Sequence, residues 1–537
     1  MNNVQSATAE IPAPSPVVLE DDEAVRTTRK PHLVGSLMTA VGGLGVALAI
    51  ERGGSFLSNV LAARWGGVEV FGAYSVALMA ANNVAWYAGS GIGTTSARFI
   101  AEHAPGTEGY RRTIRSLGSI GLISAVVAVI ALWAGAGPMA RMLLRNEKLT
   151  APLQMAALSA AAFVLVECCR GVFIGTRNFT HILVLSSLMG LGLLTVVPAA
   201  ARFGPTRMIA GQSTVLLTAV AVAAILIVWK PKARPSRRDV REIEPASLGR
   251  VWRFGLMQLA GVVGMNASGW WTAMLVARGD PSLLQVAFYT VATQLRNFSS
   301  LVPSLVQQGN LAFFTNEGSR DFGGANRVIE VSSIAASVLS TLCAGAAVLA
   351  LPLITGHMYG KGYGGAELPA VLAIVTLLVH FGVSPAASRL TFVSLSWSGF
   401  TNGVWAVFVV IAATLLVPAG GAVAATAILF TAHVISMFLG LACLRKLGHL
   451  PSGVTSLAVL DAITALAIAG LAWMRAANRG YAIVFDALIV GVTAASTLIL
   501  VRRAQRCGVL PTPLRLASLC QSGLVRLQTA GRVRSAT

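Results

Sequence analysis

Residues 62–77 read AARWGGVEVFGAYSVA, and residues 276–292 read VARGDPSLLQVAFYTVA. Arg64 stands against Arg278, and after one inserted residue Tyr74 stands against Tyr289. From there an offset of 215 holds without gaps: Asn82 meets Asn297, Ala97 meets Ala312, Phe99 meets Phe314, Glu102 meets Glu317 and Arg112 meets Arg327. Before the insertion the offset is 214, and Arg52 meets Asn266. Alanine and valine coincide easily in apolar sequence. Arginine, tyrosine, asparagine, glutamate and arginine recurring in one order do not, so the chain is read as an internal duplication.

The composition says what the duplicated unit is made of. Of 537 residues, 55% are hydrophobic and 12% charged, with mean hydropathy +0.71. Soluble domains carry about 25% charged residues. Half that fraction leaves too little polar surface for water, which excludes a soluble enzyme, a disordered protein and a secreted disulfide scaffold. Crossing the hydrocarbon core takes about 20 apolar residues, and about 14 candidate spans are long enough: 34–61, 70–96, 114–136, 150–174, 180–202, 208–229, 251–277, 283–313, 328–351, 368–395, 400–418, 421–443, 454–474 and 481–501. The fold expected is an all-α polytopic membrane protein: two pseudo-symmetric six-helix lobes, 33–229 (helices 1–6) and 250–444 (helices 7–12), with two extra C-terminal helices, 13 and 14, over 445–501. An even number of spans per copy makes the repeat parallel. Its pseudo-twofold then runs along the membrane normal and the substrate path lies between the lobes.

Lysine and arginine number 41 against 21 acids, a net charge of +20. In a soluble protein this would suggest nucleic acid; here it sets orientation. With the N-terminus inside, most of the positive residues fall in cytoplasmic segments, as the positive-inside rule requires. They include Arg111, Arg112 and Arg115, the basic loop 230–249, and a basic C-terminal tail, 502–537. Residues 1–32, with Pro and an acidic cluster, read as a disordered cytoplasmic tail. A bacterial cytoplasmic (inner) membrane protein with both termini in the cytoplasm is expected, in contact with anionic lipid headgroups and not with nucleic acid. The six cysteines, 168, 169, 343, 443, 507 and 520, show no ligand spacing. No cofactor or metal is expected, and a coupling ion, H+ or Na+, is left open. Gly356 to Lys361 lacks the spacing of a phosphate loop. The outer loops are short and poor in acids (Glu69, Glu147, Asp280, Glu367), which disfavours a membrane-embedded glycan-processing enzyme.

Ionisable residues at mid-span cost about 2.5–3.5 kcal/mol each, so they face a cavity or a partner. Glu51 and Arg52 lie mid-span in helix 1, Asn82 and Asn83 in helix 2, Asn266 in helix 7, and Gln294, Arg296 and Asn297 in helix 8. By the repeat these four helices face the axis, which predicts one polar, net-positive cavity between the lobes. Glu167 and Arg170, spaced i,i+3, can pair on one face of helix 4 and form a second tier. His380, Arg389, Asp461 and Asp486 are single residues near span ends or in the added helices, and nothing in the sequence gives Asp461 or Asp486 a partner.

The stretch Asn59–Glu102, with Arg64, Gly66, Phe71, Gly72, Tyr74, Ser75, Gly89, Gly91, Gly93, Arg98, Phe99 and Glu102 at its marker positions, resembles the multidrug/oligosaccharidyl-lipid/polysaccharide exporter superfamily, in its polysaccharide transporter (O-antigen flippase-like) branch. The resemblance implies a secondary transporter flipping a polyprenyl-diphosphate-linked oligosaccharide by alternating access, for surface or exopolysaccharide biosynthesis, possible partners being polymerase or export machinery. It implies Arg52 and Arg296 as diphosphate contacts, since guanidinium matches phosphate oxygens. Glu51, Asn82, Asn83, Asn266, Gln294 and Asn297 would complete the cavity. A peptidoglycan-precursor (lipid II-type) flippase is an alternative, although Ser58-Asn59 stand where those proteins carry an Arg-Asp pair. A drug or ion antiporter, whose chamber is acidic, and an assembly scaffold are the others.

Overall fold

The computed structural model describes residues 30–89, 91–103, 105–229, 248–305, 307 and 322–507. The expected N-terminal tail up to 29, most of the basic loop (230–247), the C-terminal tail from 508 and the repeat matches Ala312, Phe314 and Glu317 lie outside those residues. So does Cys520. Among the described residues there is no strand. The helices of the first half are α1 (Lys30–Ala88), α2 (Ile92–Ala101), α3 (Glu108–Pro138), α4 (Thr150–Gly175), α5 (Phe179–Ala201) and α6 (Pro205–Trp229). Those of the second are α7 (Leu248–Gly279), α8 (Leu284–Ser299), α9 (Phe322–Leu353), α10 (Glu367–Phe381), α11 (Ser384–Val393) and α12 (Leu395–Lys446). Then come α13 (Val454–Ala477) and α14 (Ala482–Arg506).

Irregular backbone recurs at the offset of the sequence repeat. A π-helical turn follows α3 at Met139–Leu143 and follows α9 at Ile354–Tyr359. A 3-10 turn comes next in each half, Glu147–Leu149 and Lys361–Ala366. A side-chain cap opens α5 (Asn178) and α12 (Ser394). Positive φ occurs at Gly67 and Leu283, one residue off the offset, and at Gly204 and Gly421, two residues off it.

Two helices carry a kink that only glycine makes without strain. Gly67 (φ 78°, ψ 174°) splits α1 into two arms, and Gly421 (φ 54°, ψ −135°) splits the 52-residue α12 near its midpoint. Three expected spans are interrupted. The run 70–96 stops at Ala88, passes Gly91 in the left-handed region (φ 73°) and resumes as α2. The run 368–395 breaks between Phe381 and Ser384, and 283–313 leaves its helix at Ser299. Among the described residues, nine helices are long and apolar enough to cross a bilayer, with α12 taken as one.

The packing has the same logic in both halves. α1 lies along α5 as α7 lies along α12, and α3 pairs with α4 as α9 pairs with α10. Small residues permit the close approach: a Cβ on Gly54 would stand 2.4 Å from the Gly190 carbonyl oxygen. The outer face of α3 leaves Leu122, Ile123, Val126, Val127, Ile130 and Trp133 exposed, as a lipid-facing helix does. α13 and α14 pack on each other and against α9 and α10. The halves meet where α1 touches α7 and α8. There a Cβ on Gly72 would come within 2.5 Å of the Leu283 carbonyl oxygen. Arg64 Nη1 donates to the His357 carbonyl at 2.7 Å, and the Tyr363 ring packs edge-on against Phe71 and Phe288.

Candidate functional site

Between the halves lies a cavity of about 400 Å³. α1 contributes Glu51, Arg52, Ser55, Phe56 and Asn59; α8 contributes Gln294, Asn297 and Phe298, followed by Ser300. The helical period explains the selection. Positions 51, 52, 55 and 59 form one stripe of α1, and 294 and 297 are one turn apart on α8. Phe56 and Phe298 stack across the junction, ring centroids 4.7 Å apart. Gln294 Oε1 accepts from the Tyr359 hydroxyl at 3.2 Å.

The charges in this cavity are not equivalent. Arg170 on α4 donates through Nη2 to both Glu51 oxygens, at 2.6 and 2.8 Å, and through Nη1 to Glu167 at 2.8 Å. Ser186 on α5 donates to Glu51 Oε2 at 2.8 Å. The Glu51 carboxylate is therefore saturated from behind the cavity. Arg52, its chain neighbour, has no ion pair or hydrogen bond from its side chain among the described residues, and its guanidinium stays available in a half-buried polar space.

The other expected site residues separate. Asn82 lines a second cavity, about 510 Å³, inside the first half, with Trp86, Gly89, Gly91, Gly93 and Glu167. Asn83 turns back onto its own helix, its Nδ2 donating to the Met79 carbonyl at 2.9 Å. Asn266 is half-buried and lines neither cavity. Arg296, expected beside Arg52, departs most. It sits between Gln294 and Asn297 in sequence, but an α-helix turns about 100° per residue, so it faces elsewhere. Its charge is felt by Tyr289, His380 and His433. The two histidines, ring centroids 5.0 Å apart, line a third cavity of about 230 Å³ among α7, α10, α11 and α12.

Sequence reading missed Ser55, Asn59 and Ser300, polar residues with nothing in the local pattern to single them out. It also left Asp486 and Glu367 unpartnered. The structure corrects this: buried Arg475 on α13 donates to Asp486 Oδ1 at 2.7 Å, to Glu367 Oε1 at 2.9 Å and to the Val348 carbonyl at 3.2 Å. The described cysteines are free: Cys168 and Cys443 are buried, and Cys169, Cys343 and Cys507 half-buried.

The family model for polysaccharide biosynthesis proteins matches residues 40–307, which include most of α1, α2 to α8 and the whole interhalf cavity. No curated protein matches the chain. Among solved structures, the fold is similar to the lipid II flippase MurJ in an inward closed conformation (TM-score 0.62, 12% identity, 87% of this chain and 99% of that one). It is also similar to multidrug-resistance MATE family transporters of the MOP superfamily. The outward-facing form gives TM-score 0.53 at 16% identity over 78% of this chain and 96% of that one, and the inward-facing form 0.52 at 13% over 78% and 98%. The chain is a multi-pass membrane protein and belongs to the multidrug/oligosaccharidyl-lipid/polysaccharide exporter superfamily of transporters and flippases.

Proposed function

We propose that this protein flips a polyprenyl-diphosphate-linked oligosaccharide across the bacterial cytoplasmic membrane by alternating access of its two six-helix lobes, for surface or exopolysaccharide biosynthesis. Both termini are placed in the cytoplasm. The observation that carries the reading is the Arg52 guanidinium in the interhalf cavity, which makes no direct ion pair or hydrogen bond among the described residues while both oxygens of its neighbour Glu51 are held by Arg170. Glu51 acts on Arg52 only through space, so the Arg52 donors stay open to an incoming diphosphate, which offsets the cost of a charge in the membrane interior. Guanidinium presents paired donors to phosphate oxygens. Gln294, Asn297, Asn59 and Ser300 supply neutral hydrogen-bonding groups for the remaining oxygens or the first sugars. No free carboxylate lines this cavity, which disfavours a cationic drug. Glu51 acts as ballast for Arg170, and Arg296 works behind α8 and not on the diphosphate. Membrane lipids are the immediate surroundings, and polymerase or export machinery are the candidate partners. Acid-poor loops and an unreactive cavity favour transport over glycan processing.

A lipid II-type cargo is the second reading, favoured by the MurJ-like fold. It shares the diphosphate chemistry. Arg52→Ala should leave the protein in the membrane at normal abundance, stop export and accumulate a lipid-linked intermediate in the cytoplasmic leaflet. The glycan on that intermediate separates the two cargoes. Unimpaired export by Arg52→Ala defeats both.

A further inference from the structure

Asp461, on α13, lies outside the cavity chemistry. Its side chain is 1% exposed. The Ser337 hydroxyl on α9 donates to Oδ2 at 2.7 Å, while Oδ1 has no hydrogen-bond partner. The charged groups on the helices around it are engaged elsewhere. On α9, Glu330 meets Arg503 of α14 at 3.6 Å, two turns before Ser337, with Arg327 exposed beyond it. Glu367 of α10 and Asp486 of α14 are held by Arg475, nearly four turns along α13. His380 of α10 packs on His433 of α12, and Arg445 and Lys446 are at the exposed end of α12. Arg389 of α11 is buried, seven residues past Gly382. Among the described residues no cation forms an ion pair with the carboxyl, and buried groups of this kind exchange their charge for a proton. A metal ion is a poor fit: a single acid is present, and the surroundings are packed tightly enough that a Cβ on Gly382 would stand 2.0 Å from Oδ2.

Two features connect this carboxyl to the rest of the protein. Ser333, one turn from Ser337 on α9, is fully buried with an unpartnered hydroxyl. Glu330, the next residue on that face, is half-buried, two turns inside the N-terminal end of α9. Hydroxyls spaced i,i+3 and i,i+4 thus lead from Glu330 to Asp461. On the other side, Gly382 is where α10 breaks before α11, and its backbone abuts the carboxyl. α11 in turn lines the histidine cavity through Ser384, Ser388 and Thr391.

We infer that Asp461 is a proton-binding site, loaded from the Glu330 end through Ser333 and Ser337, whose charge is read by the α10–α11 break at the wall of the histidine cavity. The step is one proton onto a carboxylate oxygen from water at the helix end, and its return. No electrons move. The α13 helix thereby acquires a task beyond packing.

The test is infrared difference spectroscopy on the full chain in nanodiscs after pH jumps. The expected result is a protonated-carboxyl C=O band that appears on acidification and disappears reversibly on alkalinisation. The band should be missing in Asp461→Asn, an isosteric variant. Ser333→Ala should keep the band and slow its response several-fold. A pH-invariant band lost in Asp461→Asn means a permanently protonated structural acid and overturns the proposal. Identical spectra from wild type and Asp461→Asn do the same. An unchanged response rate in Ser333→Ala overturns the route.

Discussion

The interhalf cavity and the added helices α13 and α14 use arginine in opposite ways. In the first half, the acid-base pair Glu51-Arg52 lies at the cavity, and the equivalent positions of α7 are Met265 and Asn266. On the added helices Arg475 of α13 joins Glu367 of α10 and Asp486 of α14, as Arg170 joins Glu51 and Glu167 behind the cavity. Arg475 is 3% exposed and holds two carboxylates; Arg52 is half-buried and holds none. A clamp needs its charges matched, because an unpaired buried charge destabilises the fold. A binding site for an anion needs a charge left over. The π turns recur at the offset of 215 in both halves, while the placement of charge differs between the cavity and the added helices.

The largest effect should come from breaking the clamp. Arg475→Met leaves two acids facing apolar packing and should cost about 3 kcal/mol, the lower end for a broken buried pair because Asp486 is partly exposed. Thermal unfolding in micelles measures it. Adding Glu367→Gln and Asp486→Asn should restore most of the loss. If Arg475→Met is nearly silent, the triad behaves as a surface pair and the contrast collapses.

The contrast is sharpened from the cavity side by Arg170→Met. This substitution frees the Glu51 charge to face Arg52. Export should fall on the order of tenfold, about 1.4 kcal/mol of lost attraction for an anion. Glu51→Gln added to it should restore export, as measured by surface polysaccharide. Failure of that rescue would mean that Arg170 matters for packing alone.

At the seam, Gly72→Ala would drive a methyl group into the Leu283 carbonyl. An overpacking cost of about 1–3 kcal/mol is expected. Cysteine labelling near Arg64 should rise as the halves separate there.

The smallest effect concerns the turn that opens α8. Burial raises the Asp280 carboxyl, but hydrogen bonds from Ser282 and the backbone N–H groups of Gln285, Ser282 and Leu284 outweigh it and hold it below its ordinary value. A depressed folded value stabilises above the unfolded pKa, about 3.9, and that stabilisation is lost as pH falls through the folded value. Asp280→Asn should cost under about 1 kcal/mol near neutral pH. The gap in melting temperature from wild type should close below pH of about 4.

Much of the candidate site was legible as residue types and little as directions. Arg52, Gln294 and Asn297 announce themselves as polar groups in apolar runs, and the structure gathers them around one cavity. Arg296 carries the same signal and faces His380 and His433 instead. Asn82 and Asn83 are adjacent, yet one lines a cavity and the other bonds back to a carbonyl of its own helix. Asn82 and Asn297 are equivalent in the repeat and open onto different spaces.

The chain by itself determined that lipid is the main solvent, and it showed matches at an offset of about 215 and polar groups recurring on a few helices. These follow from composition and from matches along a single line of residues. The kinks at Gly67 and Gly421 were not read from the chain, although positive φ is a property of one residue. Tertiary structure alone decided which charge is spent and which is left over. Helical periodicity relates the faces of one helix to each other but says nothing of what each face meets. The partner of Glu51 lies 119 positions away on α4, and that of Glu367 lies 108 positions away on α13. The same arginine is a clamp or a binding site according to whether packing brings an acid within reach.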